Sequence, residues 1–185
     1  QVTEGTSHTL LPQLWEGKVD LVVGRLPARS PSNGFEEREL LEEQLMMVVG
    51  PQHPLARRKK LQWSHLAEFP WVLPPPSSQM REPLEHVLVQ HGLALDTNYI
   101  ETISVHLTRA YLYQMDAVGV MAKAAALDPM QPLEVLPLYL PRLVRSTGVL
   151  WNRNRPLSPG TSLMIACLET AAARMREQEA AFPEA

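Results

Sequence analysis

One cysteine, Cys167, occurs in 185 residues. An internal disulfide is thereby excluded, and so is a zinc ribbon, which needs paired thiolates. This usage fits a reducing compartment, and the chain is read as cytoplasmic. There is no basic excess either: 17 Lys and Arg stand against 20 Asp and Glu, a formal net charge of −3. A domain that grips DNA unaided carries a basic footprint, so these residues are not expected to bind DNA by themselves. No run approaches the roughly 18–20 apolar residues of a transmembrane helix. The start, QVTEGTSHTLLPQLWEG, has neither the basic opening nor the apolar core of a signal peptide. No membrane partner is expected.

Catalytic signatures are missing too. The sequence has no GxGxxG, Walker loop, HExxH, GxSxG or paired CxxC. Its six histidines are scattered, and His86 and His91 fall on different helical faces, a poor geometry for a metal. The acidic group Glu36, Glu37, Glu39, Glu42 and Glu43 reads as a solvated face, because acid–base catalysis needs carboxylates desolvated in a cleft. Cys167 reads as a small core residue within an apolar helical stripe. No enzyme activity, metal or cofactor is expected.

What is present is an ordinary globular mixture, 45% hydrophobic and 20% charged, long enough to bury a core as one domain or two small lobes. Seventeen prolines are spread singly along the chain, which implies short elements with stiff corners. Val2–Glu4 reads as the tail of a strand. Leu10, Leu11, Leu14 and Trp15 then share one helical face that Gly17 ends. VDLVVG (19–24) has the character of a strand buried on both faces. Strand, helix and strand in this order form a βαβ unit with a right-handed crossover.

A polar loop spans 27–39, and LMMVVG (45–50) is a second buried strand. HPLARRKK (53–60) is a basic run in a loop, read as solvated surface. Trp63–Phe69 forms a helical turn, Trp71–Leu73 a strand, and a helix follows that begins between Ser78 and Glu82. Tyr99–Ile103, Ala117–Ala122, Leu133–Leu138 and Gly148–Trp151 supply strands, and Val105–Gln114 a helix. Ser158-Pro159 opens the last helix, whose apolar stripe is Met164, Leu168, Ala171 and Met175, with fraying from Gln178. Strands alternating with helices argue an α/β architecture with parallel sheets, split into two lobes by the proline- and charge-rich connector. Clefts between lobes are where small ligands bind.

Binding chemistry remains as the candidate function. Gly24-Arg25 follows the VDLVVG strand, at the carboxyl end that faces the crevice in parallel α/β sheets. Arg25 there either grips a carboxylate bidentately or is exposed or structurally paired. PWVLPPPSSQMREPLE (70–85) delivers Ser77 and Ser78 to a helix start, whose free N–H groups favour anions. The two hydroxyls either cap that helix or meet a ligand oxygen. Arg81, a cation in the first turn, opposes the helix dipole and implies an anion nearby, from a ligand or a neighbouring carboxylate.

These segments together resemble a known family. LLPQLWEGKVDLVVGRL, LLEEQLMMVVGPQHPLA, LQWSHLAEFPWVLPPPSSQMREPLE and AVGVM are similar to the effector-binding domain of LysR-type transcriptional regulators, from Val2 to about Arg176. The galactose-binding-protein-regulator and protocatechuate-regulator branch is the nearest match. The most specific elements are L-x-x-G-x-x-D-L-V-V-G (14–24) and VVGPQHPLA (48–56), joined to FPWVLPPP.

The resemblance implies a two-lobe periplasmic-binding-protein type II-like fold with crossing strands, lobe I being 1–50 plus 147–185 and lobe II 51–146. It implies a small, carboxylate-bearing effector in the interlobe cleft, met by Thr6, Gly24, Arg25, Pro75, Pro76, Ser77, Ser78 and Val105. It also implies a homodimer or homotetramer that reaches DNA only through an N-terminal helix-turn-helix domain absent from these residues. The first lobe is expected to lack its usual first strand and helix, the chain being N-terminally truncated. A solute-binding receptor of a transport system with the same fold is the alternative.

Overall fold

The computed structural model describes residues 1–26, 34–42, 44–94, 98–141 and 146–181. In chain order these form α1 (Ser7–Glu16), β1 (Val22–Arg25), β2 (Phe35–Leu41) and β3 (Leu45–Val49). A 3-10 turn (Trp63–Leu66), β4 (Trp71–Leu73), α2 (Arg81–Gln90), β5 (Tyr99–Glu101) and α3 (Val105–Gln114) follow. The remainder is β6 (Val118–Ala122), α4 (Lys123–Ala126), β7 (Glu134–Val135), β8 (Thr147–Asn152) and α5 (Pro159–Ala181). The chain divides into two units, Gln1–Glu42 with Val144–Ala185, and Glu43–Leu143, and it passes between them twice.

In the first unit β8 is the middle strand of the order β1-β8-β2, antiparallel to both neighbours. Side chains alternate along a strand, and β8 uses this to feed two cores. Leu150 packs with Leu14, Val22 and Leu26 on the α1 side, whereas Val149 packs with Leu40, Ile165 and Ala172 on the α5 side. α1 ends at Gly17, whose φ of +73° suits glycine and whose N–H turns back to the Leu14 carbonyl.

The second unit is a mixed five-stranded sheet in the order β5-β4-β6-β3-β7. β4 runs parallel to β5 and β6, and β3 runs antiparallel to β6 and β7. Val48, Val72, Leu112, Ala117 and Met121 form its core.

Several expectations are corrected here. Val2–Glu4 is not a strand, so no βαβ crossover exists among the described residues of the first unit, and its sheet is antiparallel rather than parallel. β3 falls in the second unit instead of closing the first, because its backbone pairs with β6 and β7. β2 occupies what reads as loop: FEERELL has poor strand propensity, yet it pairs with β8 from Phe35 to Leu41. Its charges suit an outer strand and form ion pairs, Glu36 with Arg153 at 2.5 Å and Arg38 with Glu169 at 2.7 Å.

Thr161, Ile165 and Ala172 are the buried residues of α5, with Leu168 half-buried beside them, so Leu168 alone of the expected stripe faces inward. Met164 and Cys167 are therefore exposed, so Cys167 is not a core residue. α5 also continues past Gln178 to Ala181. Pro27, Pro31, Ser32, Asn33 and Glu43 lie outside the described residues.

Candidate functional site

The carboxyl end of β4 is set by sterics before any ligand is considered. Trp71, Val72, Leu73 and Pro74 are all buried. Prolines cannot donate to a ladder, so the strand stops and the chain turns. The Pro75 carbonyl accepts from the Ser78 N–H at 2.8 Å, and the Ser78 carbonyl accepts from the Arg81 N–H at 3.1 Å. The Ser78 hydroxyl accepts from the Met80 N–H at 3.3 Å. α2 thus begins at Arg81, within the expected interval, and the serines sit on the turn before it. Pro76 and Ser77 are exposed, and Pro75 and Ser78 are half-buried.

Arg81 finds its anion inside the protein. Its side chain is buried and donates to Glu85 at 2.5 Å, to Glu101 at 2.8 Å and to the Pro74 carbonyl at 2.8 Å. It also lies 4.9 Å from the Tyr99 ring centre. Burial alone would lower its pKa. The bonds to Glu85 and Glu101 and the Tyr99 contact outweigh that and hold it above its ordinary value. Of the two explanations for this cation, the neighbouring carboxylates are the one the structure shows.

β5 ends beside β4, with Leu73 opposite Glu101. The Leu73 carbonyl accepts from the Thr102 N–H at 3.0 Å. The Thr102 hydroxyl then accepts from the Ser104 N–H at 3.0 Å, and the Ser104 hydroxyl accepts from the Leu107 N–H at 3.2 Å, capping α3. Val105 opens α3 as an exposed apolar side chain. The parallel pairing of β4 with β5 and β6 puts Pro75–Ser78, Val105 and the end of β6 at Ala122 on one edge of the second unit. Thr102 and Ser104, the polar groups that build this edge, are additional to the predicted set. A Ser three residues before the α3 Leu107 is the cap signal that points to Ser104.

In the first unit, Gly24 pairs with Gly148 and Arg25 with Thr147, and the next amide, Leu26 N–H, donates to the Ser146 carbonyl at 2.9 Å. A methyl group built on Gly24 meets nothing within 4 Å. Leu10 and Leu11 of α1 pack against the cluster of Leu14, Val22, Leu26 and Leu150. Thr6 is the N-cap of α1. The Thr6 carbonyl accepts from the N–H groups of Thr9 and Leu10, both at 3.0 Å. Its hydroxyl makes no cap bond, is buried, and has no partner among the described residues.

The structure thus places Gly24 and Arg25 at the end of β1 and Thr6 at the start of α1 in the first unit, and Pro75, Pro76, Ser77, Ser78 and Val105 on one edge of the second. In the second unit this edge is formed by the carboxyl ends of the parallel strands β4, β5 and β6, where α/β proteins bind ligands.

Comparison with known proteins defines the class first. Solved effector-binding domains superpose on this chain, among them that of QuiR in complex with shikimate: TM-score 0.69, 18% identity, covering 92% of this chain and 79% of that one. The architecture is the mixed α/β, periplasmic-binding-protein type II-like fold. The family model for the LysR substrate binding domain matches residues 1–173, and the chain belongs to that family. HTH-type transcriptional regulator GbpR of Azospirillum brasilense is 30% identical over 169 residues, 90% of this chain and 49% of the relative. HTH-type transcriptional regulator PcaQ of Agrobacterium fabrum is 28% identical over 177 residues, 95% of this chain and 57% of the relative. The chain spans about half the length of these curated relatives. No helix among the described residues is long and apolar enough to cross a membrane.

Proposed function

We propose that this chain is the effector-sensing part of a LysR-type transcriptional regulator that binds a small carboxylate-bearing metabolite. The observation that carries the reading is the buried Thr6 hydroxyl, which has no partner among the described residues, in the unit that also holds Arg25. A buried hydroxyl without a partner is costly, and a ligand oxygen would satisfy it while the Arg25 fork takes the carboxylate. Pro75, Pro76, Ser77, Ser78 and Val105 supply the second set of contacts, with the exposed Ser77 hydroxyl as a polar group open to a ligand. Shikimate, bound by the related QuiR domain, is an acid of this chemical class. An effector that prefers one arrangement of the protein shifts its population toward that arrangement. The whole regulator carries this shift to DNA through a helix-turn-helix domain, as a cytoplasmic homodimer or homotetramer.

A thermal-shift screen of aromatic and sugar acids tests the reading. At least one acid raises the midpoint of the wild type, and the rise disappears in Arg25→Ala. Undiminished stabilisation of Arg25→Ala by the same acid would remove Arg25 from the site.

A further inference from the structure

A pocket lies at the other edge of the second unit. β3 is antiparallel to β6, with Val49 opposite Val118, and β4 starts beside Val118 at Trp71. The segments that leave β3 and enter β4 therefore meet at the amino end of β4, away from Ser77 and Val105. They line an open pocket of about 660 Å³, a volume suited to a small organic ligand. Its polar lining includes Arg57, Arg58, Ser64, His65 and Glu68, with Phe69 as an apolar wall.

The frame around it is hydrogen-bonded and anchored in the core. Three turn bonds fold the loop: His53 N–H to the Gly50 carbonyl at 3.1 Å, Ala56 N–H to His53 at 3.0 Å and Arg58 N–H to Leu55 at 3.1 Å. Leu55 is 3% exposed and anchors the loop, and the His53 ring packs on Phe69 at 4.4 Å between ring centres. Neither Arg57 nor Arg58 has a hydrogen-bond or carboxylate partner among the described residues. Glu68 lines the same cavity without pairing to either. His65 Nδ1 accepts from the Gln62 N–H at 2.9 Å, so in the neutral ring the proton sits on Nε2, which is a donor.

From this geometry we propose that the cavity binds the phosphate group of a small phosphorylated metabolite. Two guanidiniums, an imidazole N–H and the Ser64 hydroxyl supply more donors than a planar carboxylate can use, whereas a phosphate has three strong acceptor oxygens. Glu68 accepts from a hydroxyl on the carbon skeleton of such a ligand and opposes a bare dianion. Arg57 and Arg58 are exposed, so replacing them leaves the core intact. Lys59 and Lys60 do not line the cavity, which separates a pocket for one phosphate from a surface for a polyanion.

Amide NMR of the 185-residue chain, titrated with inorganic phosphate at constant ionic strength, tests the proposal. Saturable shifts confined to residues 53–69 are expected, weakened at least tenfold in R57A/R58A and tightened several-fold in E68Q, with thermal midpoints unchanged. Shifts that grow linearly without saturation, or that persist in R57A/R58A, overturn it. So does a DNA duplex that shifts Lys59 and Lys60 along with this region when phosphate alone does not saturate, because that marks a polyanion surface.

Discussion

Arg81 donates to the backbone carbonyl of Pro74, seven residues earlier, at 2.8 Å. The same guanidinium bridges Glu101 at the end of β5 and Glu85 one turn along α2. Three consecutive prolines leave the chain at Pro74–Pro76 with no backbone donors of its own. Arg81 supplies the donor from outside and fixes the corner to both neighbouring elements. This staple, rather than a bound anion, places Ser77 and Ser78 at the strand-end edge.

Replacing Arg81 by Ala leaves the partly exposed carboxylates of Glu85 and Glu101 and the buried Pro74 carbonyl without their donor. Breaking a buried pair this way destabilises by about 2–4 kcal/mol. Arg81→Lys keeps the charge but lacks the planar fork that reaches three acceptors, so it recovers less than half of the loss. Urea midpoints measure both. A loss below about 0.5 kcal/mol for Arg81→Ala would show that the staple is not structural.

Two glycines predict opposite outcomes. A methyl group on Gly50, at the end of β3, would collide with the backbone carbonyl of Leu112 in α3, and the backbone cannot yield as a side chain can. Gly50→Ala therefore destabilises by about 1–3 kcal/mol, the range of overpacked cores. The Gly24 position is open, so Gly24→Ala leaves the free protein's melting temperature within about a degree. If Gly24 lines the effector site, the same variant weakens effector-induced stabilisation. Equal effector response in Gly24→Ala and wild type would exclude it.

The legible parts of this protein were those where local pattern and tertiary role agree. α3 occurs over the expected residues and LMMVVG is a largely buried strand, whereas VDLVVG is a strand only from Val22 and leaves Val23 half exposed. β2 was illegible because FEERELL becomes a strand only by pairing with β8, more than 100 positions away in sequence. The direction of the first unit's sheet was hidden for the same reason: β8 arrives between β1 and β2 from the far end of the chain. At the candidate site, Arg81 was visible as an anomaly in its helix, but its partner Glu101 sits 20 residues on. The resemblance proposes Thr6, whereas the burial of its hydroxyl without a partner among the described residues is a property of packing alone.

His53 makes stability depend on pH. Its ring is buried, its Nδ1 accepts from the Leu55 N–H at 3.0 Å, and its Nε2 has no partner among the described residues. Burial lowers its pKa, and the Asp116 charge opposes this only in part. The unfolded chain therefore takes up the His53 proton first as pH falls below about 6.5, the ordinary imidazole value. Stability is fully present above that pH and declines below it until the lowered folded pKa is reached, by at most about 1.4 kcal/mol per pH unit. His53→Asn, which keeps an acceptor near Nδ1 and does not titrate, flattens the profile between pH 7.5 and 5. Parallel wild-type and variant profiles would remove His53 as the cause.

Thr6→Val separates a ligand role for the hydroxyl from a structural one. Valine has nearly the same shape, so the α1 cap geometry and the backbone bonds to Thr9 and Leu10 remain. In the free protein the substitution removes a buried hydroxyl that has no partner among the described residues. Replacing an unsatisfied buried polar group by an apolar one is neutral or favourable, here by about 0–1 kcal/mol. With effector bound the balance reverses, since the wild-type hydroxyl then has an oxygen to meet and valine does not. The loss of a hydrogen bond to a charged group is worth about 1.5–3 kcal/mol, or about 10- to 150-fold in affinity. Calorimetric titration with an acid found by the thermal screen measures the affinity, and urea unfolding of the free protein measures the stability. Destabilised free protein with unchanged affinity would mean that Thr6 serves the fold alone.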